Sequence, residues 1–171
     1  MKKKLMIGLP IALFFLMIEF HQGYRINLSI SYPPGIYKIT SQGQYNKGDL
    51  VLFCPPNIPS VHEAMSRGYL GFSFECESGI MPTVKKIFGL SGDKISLDKF
   101  VYINNQLVPY TTILSQDSKQ RPLPKLNDFT VPRHSVFLLS DHLPTVSFDS
   151  RYYGAVSLER VISHIEPIYT W

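Results

Sequence analysis

Along this chain the hydrophobic positions come as one long run and many short ones. The long run, Leu5 to Ile18, follows Lys2, Lys3 and Lys4 and is interrupted by Glu19 before Phe20. Three lysines ahead of an apolar stretch hold that end in the cytoplasm, because Lys and Arg resist translocation. The run is shorter than the ~20 residues of an ordinary spanning helix and has the look of a secretory-signal core. A cleaved signal needs small residues before the cut, and Glu19-Phe20-His21-Gln22-Gly23-Tyr24 shows no A-x-A pattern. Three readings stay open, ranked in this order: an uncleaved anchor over residues 1–20, a cleaved signal, and a buried helix of a soluble fold.

Past Phe20 the pattern shortens. Residues that alternate in strand fashion flank the turn Pro33-Pro34-Gly35, and Val84 to Phe88 reads as a strand closed by Gly92-Asp93. Thirteen prolines and eleven glycines, spread along the chain, cut it into segments too short for a helical bundle. One short helix is expected, at His62 to Arg67. The fold class is therefore mainly β: coiled antiparallel sheets around a small barrel-like or sandwich core over residues 21–171, with the amino-terminal helix outside it.

Composition narrows the function. Apolar residues make up 44% of the chain and charged residues 18%, which excludes a disordered tail. The net charge of +4 owes three of its charges to Lys2, Lys3 and Lys4, and no stripe of Lys and Arg remains to track phosphates. Nucleic acid is excluded as a partner on that ground. Cys54 and Cys76 are an even count, suited to a disulfide in an oxidising space, with two buried free thiols as the alternative. No C-x-x-C or H-E-x-x-H spacing is present, so neither a metal nor a cofactor is expected.

Three segments carry candidate chemistry. In Asn27 to Tyr37, Ser31 stands just before the rigid Pro-Pro-Gly turn, where a hydroxyl is presented with little freedom to lose. In Val84 to Asp93, Lys85 and Lys86 must point to opposite faces of a strand. The inward lysine loses hydration, and its pKa falls towards that of a usable base. In Ser140 to Gly154, Asp149 and Arg151 lie two apart, so on an extended segment they share a face and can pair.

In this order, the three segments resemble the signal peptidase I superfamily of Ser–Lys proteases. The matching runs are Ser31-Tyr32-Pro33, Lys85-Lys86-Ile87-Phe88-Gly89-Leu90-Ser91-Gly92-Asp93 and Ser147-Phe148-Asp149-Ser150-Arg151-Tyr152-Tyr153-Gly154. Within it the chain is most similar to the conjugative-transfer branch, the TraF-type peptidases that mature a plasmid pilin. The features are Ser31, Pro33, Gly35 and Tyr37 in Ser-x-Pro-x-Gly-x-Tyr, the Cys54-Pro55-Pro56 stretch, and Arg67-Gly68-Tyr69-Leu70 ahead of Cys76. The resemblance further implies that the second β-subdomain of leader peptidases is reduced here to residues 104–132.

The resemblance implies roles. Ser31 is the nucleophile and Lys85 the general base, with Lys86 as its outward neighbour. Ser29 and the Ser31 N–H hold the oxyanion, Ser147 hydrogen-bonds the lysine, and Asp149 with Arg151 supports the site. It further implies a single-pass protein of the bacterial inner membrane, amino terminus inside and catalytic domain periplasmic. Its partners are then the lipid bilayer and, as substrate, a membrane-inserted or secreted precursor resembling pilin. Tyr32 stands where leader peptidases usually have Met, and Ser140-Asp141-His142-Leu143 replaces their Gly-Asp-Asn-Arg. A general leader peptidase and a non-catalytic anchored β scaffold are the competing readings. A Ser–His–Asp hydrolase built on His142 is disfavoured, because no G-x-S-x-G elbow is present.

Overall fold

The computed structural model describes residues 22–40 and 43–171. The anchor expected over residues 1–20 lies outside the described residues, and no described helix is long and apolar enough to cross a membrane.

Among the described residues, eleven strands form two antiparallel sheets. The larger contains β1 (Tyr24–Asn27), β2 (Gly35–Ile39), β3 (Leu50–Phe53), β4 (Thr83–Leu90), β9 (Ser135–Leu139), β10 (Val156–Ser157) and β11 (Val161–Thr170), in the order β1-β2-β11-β3-β4-β9-β10. The smaller contains β5 (Lys94–Leu97), β6 (Val101–Ile103), β7 (Gln106–Leu107) and β8 (Phe129–Thr130), in the order β7-β6-β5-β8. It lies in sequence between β4 and β9.

Three cores pack against these sheets. Val136 and Leu138 of β9 join a main core with Val51, Phe53 and Ile87, while Phe137 and Leu139 turn to a second core shared with Ile95, Val101 and Ile103 of the small sheet. With both faces covered, β9 reads as an uninterrupted apolar run rather than an alternating one. A third core gathers Tyr32, Tyr37, Leu52, Val84 and Ile165.

The helix differs from expectation: α1 runs Pro59–Ser66 rather than His62 to Arg67. Pro59 reads as a turn residue in the sequence, yet its fixed φ and missing N–H suit the first helical turn. The carboxyl end closes at Gly68, φ 82°, where Gly68 N–H donates to Met65 O and Tyr69 N–H to Ala64 O, both at 2.9 Å. Cys54, just after β3, forms a disulfide with Cys76.

The carboxyl-terminal strand β11 is the seam of the large sheet. Val161 to His164 pair with β3, and Ile165 to Thr170 pair with β2, with a register shift between Pro167 and Tyr169 within the second pairing. The β1–β2 ribbon thus joins the rest of the sheet only through β11. At the seam the backbones come close: a Cβ on Gly35 would lie 2.2 Å from Tyr169 O and 2.8 Å from Thr170 Cα. Gly35, legible in the sequence as a turn residue, is required by this approach. Gly35→Ala is expected to cost about 1–3 kcal/mol in urea unfolding. Gly43→Ala, which meets nothing within 4 Å, serves as the unperturbed control.

Candidate active site

Ser31 lies in the loop between β1 and β2. Asn27, the last residue of β1, organises that loop. Its Nδ2 donates to the carbonyls of Ser29 (3.2 Å), Tyr32 (3.2 Å) and Pro33 (3.1 Å), and its Oδ1 accepts from Ser29 N–H at 3.1 Å. The Tyr37 hydroxyl donates to Pro33 O at 2.7 Å, and the Ser140 hydroxyl to Ser31 O. One side chain thus satisfies three carbonyls of a tight loop that has no ladder partners of its own. The Ser31 side chain starts from a backbone already fixed.

Lys85 and Lys86 do point to opposite faces of β4. Lys85 pairs across the sheet with Val51, a main-core residue, and is only 3% exposed; Lys86 is half-buried beside Asp141. The Lys85 Nζ lies 2.7 Å from Ser31 Oγ. Burial pulls the lysine down from its ordinary 10.5 to about 8; the Asp149 carboxylate opposes this and the Arg151 guanidinium reinforces it. At that value about a tenth of the amine is neutral at pH 7, against roughly one part in a few thousand for an ordinary lysine. A neutral amine at 2.7 Å accepts the serine proton; a charged one donates to the serine oxygen.

Asp149 and Arg151 meet, although not through the extended backbone the spacing suggests. Asp149 is the N-cap of a one-turn helix, α2 (Ser150–Tyr153), and accepts from the Arg151 N–H at 3.2 Å. The Arg151 side chain curls back to close a two-point pair with the same carboxylate, Nε to Oδ1 at 2.8 Å and Nη2 to Oδ2 at 2.9 Å. Its remaining donors reach the carbonyls of Thr112, Ser147 and Pro144. Both side chains are fully buried. Asp149 also accepts from Ser140 N–H at 3.4 Å, which connects this pair to the residue holding Ser31 O.

Two expected contacts differ. The Ser147 hydroxyl does not reach the Lys85 amine; it is buried and has no hydrogen-bond partner among the described residues. The backbone of Ser147, by contrast, is used by Arg151. Ser29 and the Ser31 N–H, expected to hold an oxyanion together, are engaged with each other. The N–H donates to Ser29 Oγ at 3.2 Å, and that oxygen lies 2.7 Å from Ser31 Oγ. Ser29 is exposed, so its hydroxyl can rotate away when a carbonyl arrives.

Asn27, Ser140 and the Tyr32–Asp141 pair carry the site in ways the sequence does not announce. The Tyr32 hydroxyl donates to Asp141 Oδ1 at 2.6 Å, and Lys86 bridges to the other oxygen. The only hint is that Tyr32 and Asp141 fall inside the two segments flagged for other residues. Lys85, rather than His142, meets Ser31, and Asp141 is committed to Tyr32 and Lys86, so no Ser–His–Asp arrangement forms. Among the described residues no group of His, Cys, Asp and Glu is placed to hold a metal.

A profile described as signal peptidase, peptidase S26 matches residues 2–171. The chain belongs to that family. A plasmid transfer protein TraF of Escherichia coli is 33% identical to it over 172 residues, 99% of this chain and 96% of that protein. A second Escherichia coli plasmid transfer protein TraF is 35% identical over 152 residues, 87% of this chain and 84% of that protein. A conjugal transfer protein TraF of Agrobacterium tumefaciens is 34% identical over 150 residues, with the same two shares. Among solved structures, a signal peptidase I from Enterococcus faecalis V583 aligns with TM-score 0.39 and 24% identity, covering 72% of this chain and 98% of that one.

Arg151→Met would leave Asp149 buried without its cation. The expected loss is about 3–5 kcal/mol in chemical unfolding, far more than an exposed ion pair contributes. Glu63→Ala, which breaks the exposed bridge to Arg67, is the comparison and should change stability by less than about 1 kcal/mol.

Proposed function

We propose that this chain is a membrane-bound serine endopeptidase that processes the precursor of a secreted or membrane-inserted subunit, a conjugative pilin in the first instance. The observation that carries the proposal is the 2.7 Å contact between Ser31 Oγ and a lysine amine that the core keeps from water. Ser31 attacks the scissile carbonyl as neutral Lys85 takes its proton, giving an acyl-enzyme. The oxyanion is met by the Ser31 N–H and the rotated Ser29 hydroxyl. Lys85 then activates water, or an amine of the same substrate, and the second route gives a cyclic product. Membership in the peptidase family and the likeness to proteins named for plasmid and conjugal transfer support this substrate class.

Position supports a substrate close to a bilayer. Ile26, Leu28 and Ile30, all well exposed, lead directly into Ser31, and the described chain starts only a few residues after the apolar run Leu5 to Ile18. Ten residues of extended chain reach at most about 35 Å. The proposed arrangement is therefore an anchor over residues 1–20 in the inner membrane, the amino terminus inside and the domain of residues 21–171 outside. Residues 104–132, which supply β7 and β8, are read as a reduced form of a second subdomain. A scaffold protein would gain nothing from a lysine buried beside a serine, which speaks for the catalytic reading over the structural one.

The test is co-expression with a pilin precursor, following substrate mass for the intact chain and for Ser31→Ala and Lys85→Ala. Both variants should leave the precursor uncut, and product mass separates hydrolysis from cyclisation by one water. Normal processing by either variant, in a folded and membrane-bound state, would sink the proposal. Activity should also climb with pH through about 8 and then level, because the base is the neutral form of Lys85. Stability should move the same way. The folded-state value of the lysine lies below its unfolded 10.5, so the unfolded chain binds more protons between pH 8 and 10.5 and stability rises across that window.

A further inference from the structure

Each of the three residues that meet at the candidate site is followed by one that belongs to a second cluster. Ser31 precedes Tyr32, Lys85 precedes Lys86, and Ser140 precedes Asp141. The first three are joined by the Lys85–Ser31 contact and the Ser140 hydrogen bond to Ser31 O. Their successors are joined by Tyr32 O–H to Asp141 Oδ1 at 2.6 Å and by the Lys86 ion pair with Asp141 Oδ2. Both clusters therefore tie together the same three pieces of chain: the β1–β2 loop, the middle of β4 and the end of β9.

We propose that Tyr32, Asp141 and Lys86 form a positioning clamp that sets Ser31 Oγ against the Lys85 amine. The catalytic consequence of the clamp rests on the peptidase reading above; its geometric consequence does not. Tyr32 is nearly fully buried in the third core, with Tyr37, Leu52 and Val84, so the tyrosine ring is anchored independently of its hydroxyl. What the hydroxyl adds is register. It fixes Tyr32 to Asp141, which sits across 109 residues of sequence, and Lys86 fixes Asp141 to β4. Asp141 needs both partners: burial would raise its carboxyl, yet the Lys86 ammonium and the Tyr32 hydroxyl hold it below the usual range. Burial, and then the same carboxylate, push the tyrosine hydroxyl well up, so it remains a donor. Tyr32, Asp141 and Lys86 touch no reacting atom. They act through the placement of Ser31 and Lys85, where an error of about 1 Å can cost a hundredfold in rate.

The experiment uses the full-length protein in detergent micelles, with lysine labelled by carbon-13 at Cε. Loss of one resonance in Lys85→Met assigns the Lys85 signal. In Tyr32→Phe the ring still fills the core, but the loop is free to shift and water gains access to the amine. The midpoint of Lys85, about 8 in the intact chain, should rise towards 10.5 while the melting temperature stays put. Precursor processing should slow about tenfold or more in kcat with KM unchanged. Asp141→Ala should do the same, and Tyr32→Phe added to Asp141→Ala should cost little more, since both break one chain of contacts. An unmoved Lys85 midpoint in Tyr32→Phe, or losses that multiply in the double variant, would overturn the clamp. A precursor left uncut even by the intact chain would defeat the peptidase reading alone, and the lysine titration would still decide the clamp.

Discussion

The arrangement of this protein turns on keeping one lysine amine out of water beside one serine hydroxyl. Bringing Lys85 from 10.5 to about 8 corresponds to about 3 kcal/mol held against the charged form. That must come from the fold, since nothing in Lys85 itself supplies it. Cross-strand pairing with Val51 places the stem in the main core. Asp149 lies close enough to favour the ammonium, which would defeat the purpose if its charge were free. The two-point pair with Arg151 compensates that charge with a cation that cannot itself be deprotonated, and the two influences on Lys85 oppose each other. Burial is then left to decide the protonation state. The Asp149–Arg151 pair is thus an electrical as well as a mechanical support.

The proposed dyad requires the serine to reach the buried lysine, yet the loop that carries Ser31 leads into β2 and Lys85 lies on β4, strands that do not pair. β2 and β4 are separated by β11 and β3 in the large sheet. Within the sheet, β11 is the strand that connects the β1–β2 ribbon to the strands carrying Lys85. This explains why the seam at Gly35 admits no side chain: any thickening between β2 and β11 moves the Ser31 loop relative to β4. The site is therefore a product of the sheet's topology, with residues 161–170 between its two halves, and not a local feature of either motif.

Much of this could be read from the residues, and the limits of that reading are physical. Short apolar runs punctuated by Pro and Gly do identify a mainly β chain, and alternation on a strand does send Lys85 and Lys86 to opposite sides. Pro59 misleads because a helix-breaking residue in the interior is a helix-starting residue in the first turn. The spacing of Asp149 and Arg151 suggests proximity for the wrong reason, since an N-cap brings residues i and i+2 together as well as a strand does. Asn27 and Ser140 escape notice altogether. Asn27 satisfies carbonyls two to six residues on, in a loop whose shape no periodic pattern announces, and Ser140 reaches the Ser31 carbonyl across 109 residues, which no local pattern encodes.

The placement of the small sheet bears on the same requirement. β9 delivers Ser140 and Asp141 at its end, and a strand can fix its end only if its own faces are gripped. One face of β9 is held by the main core; the other, through Phe137 and Leu139, packs in the second core with Ile95, Val101 and Ile103 of β5 and β6, Phe129 of β8 and Val131. Removing that sheet would uncover two large side chains next to the site and free the strand that carries both the hydroxyl on Ser31 O and the carboxylate on Tyr32. What the small sheet contributes to the site is thus the far side of β9.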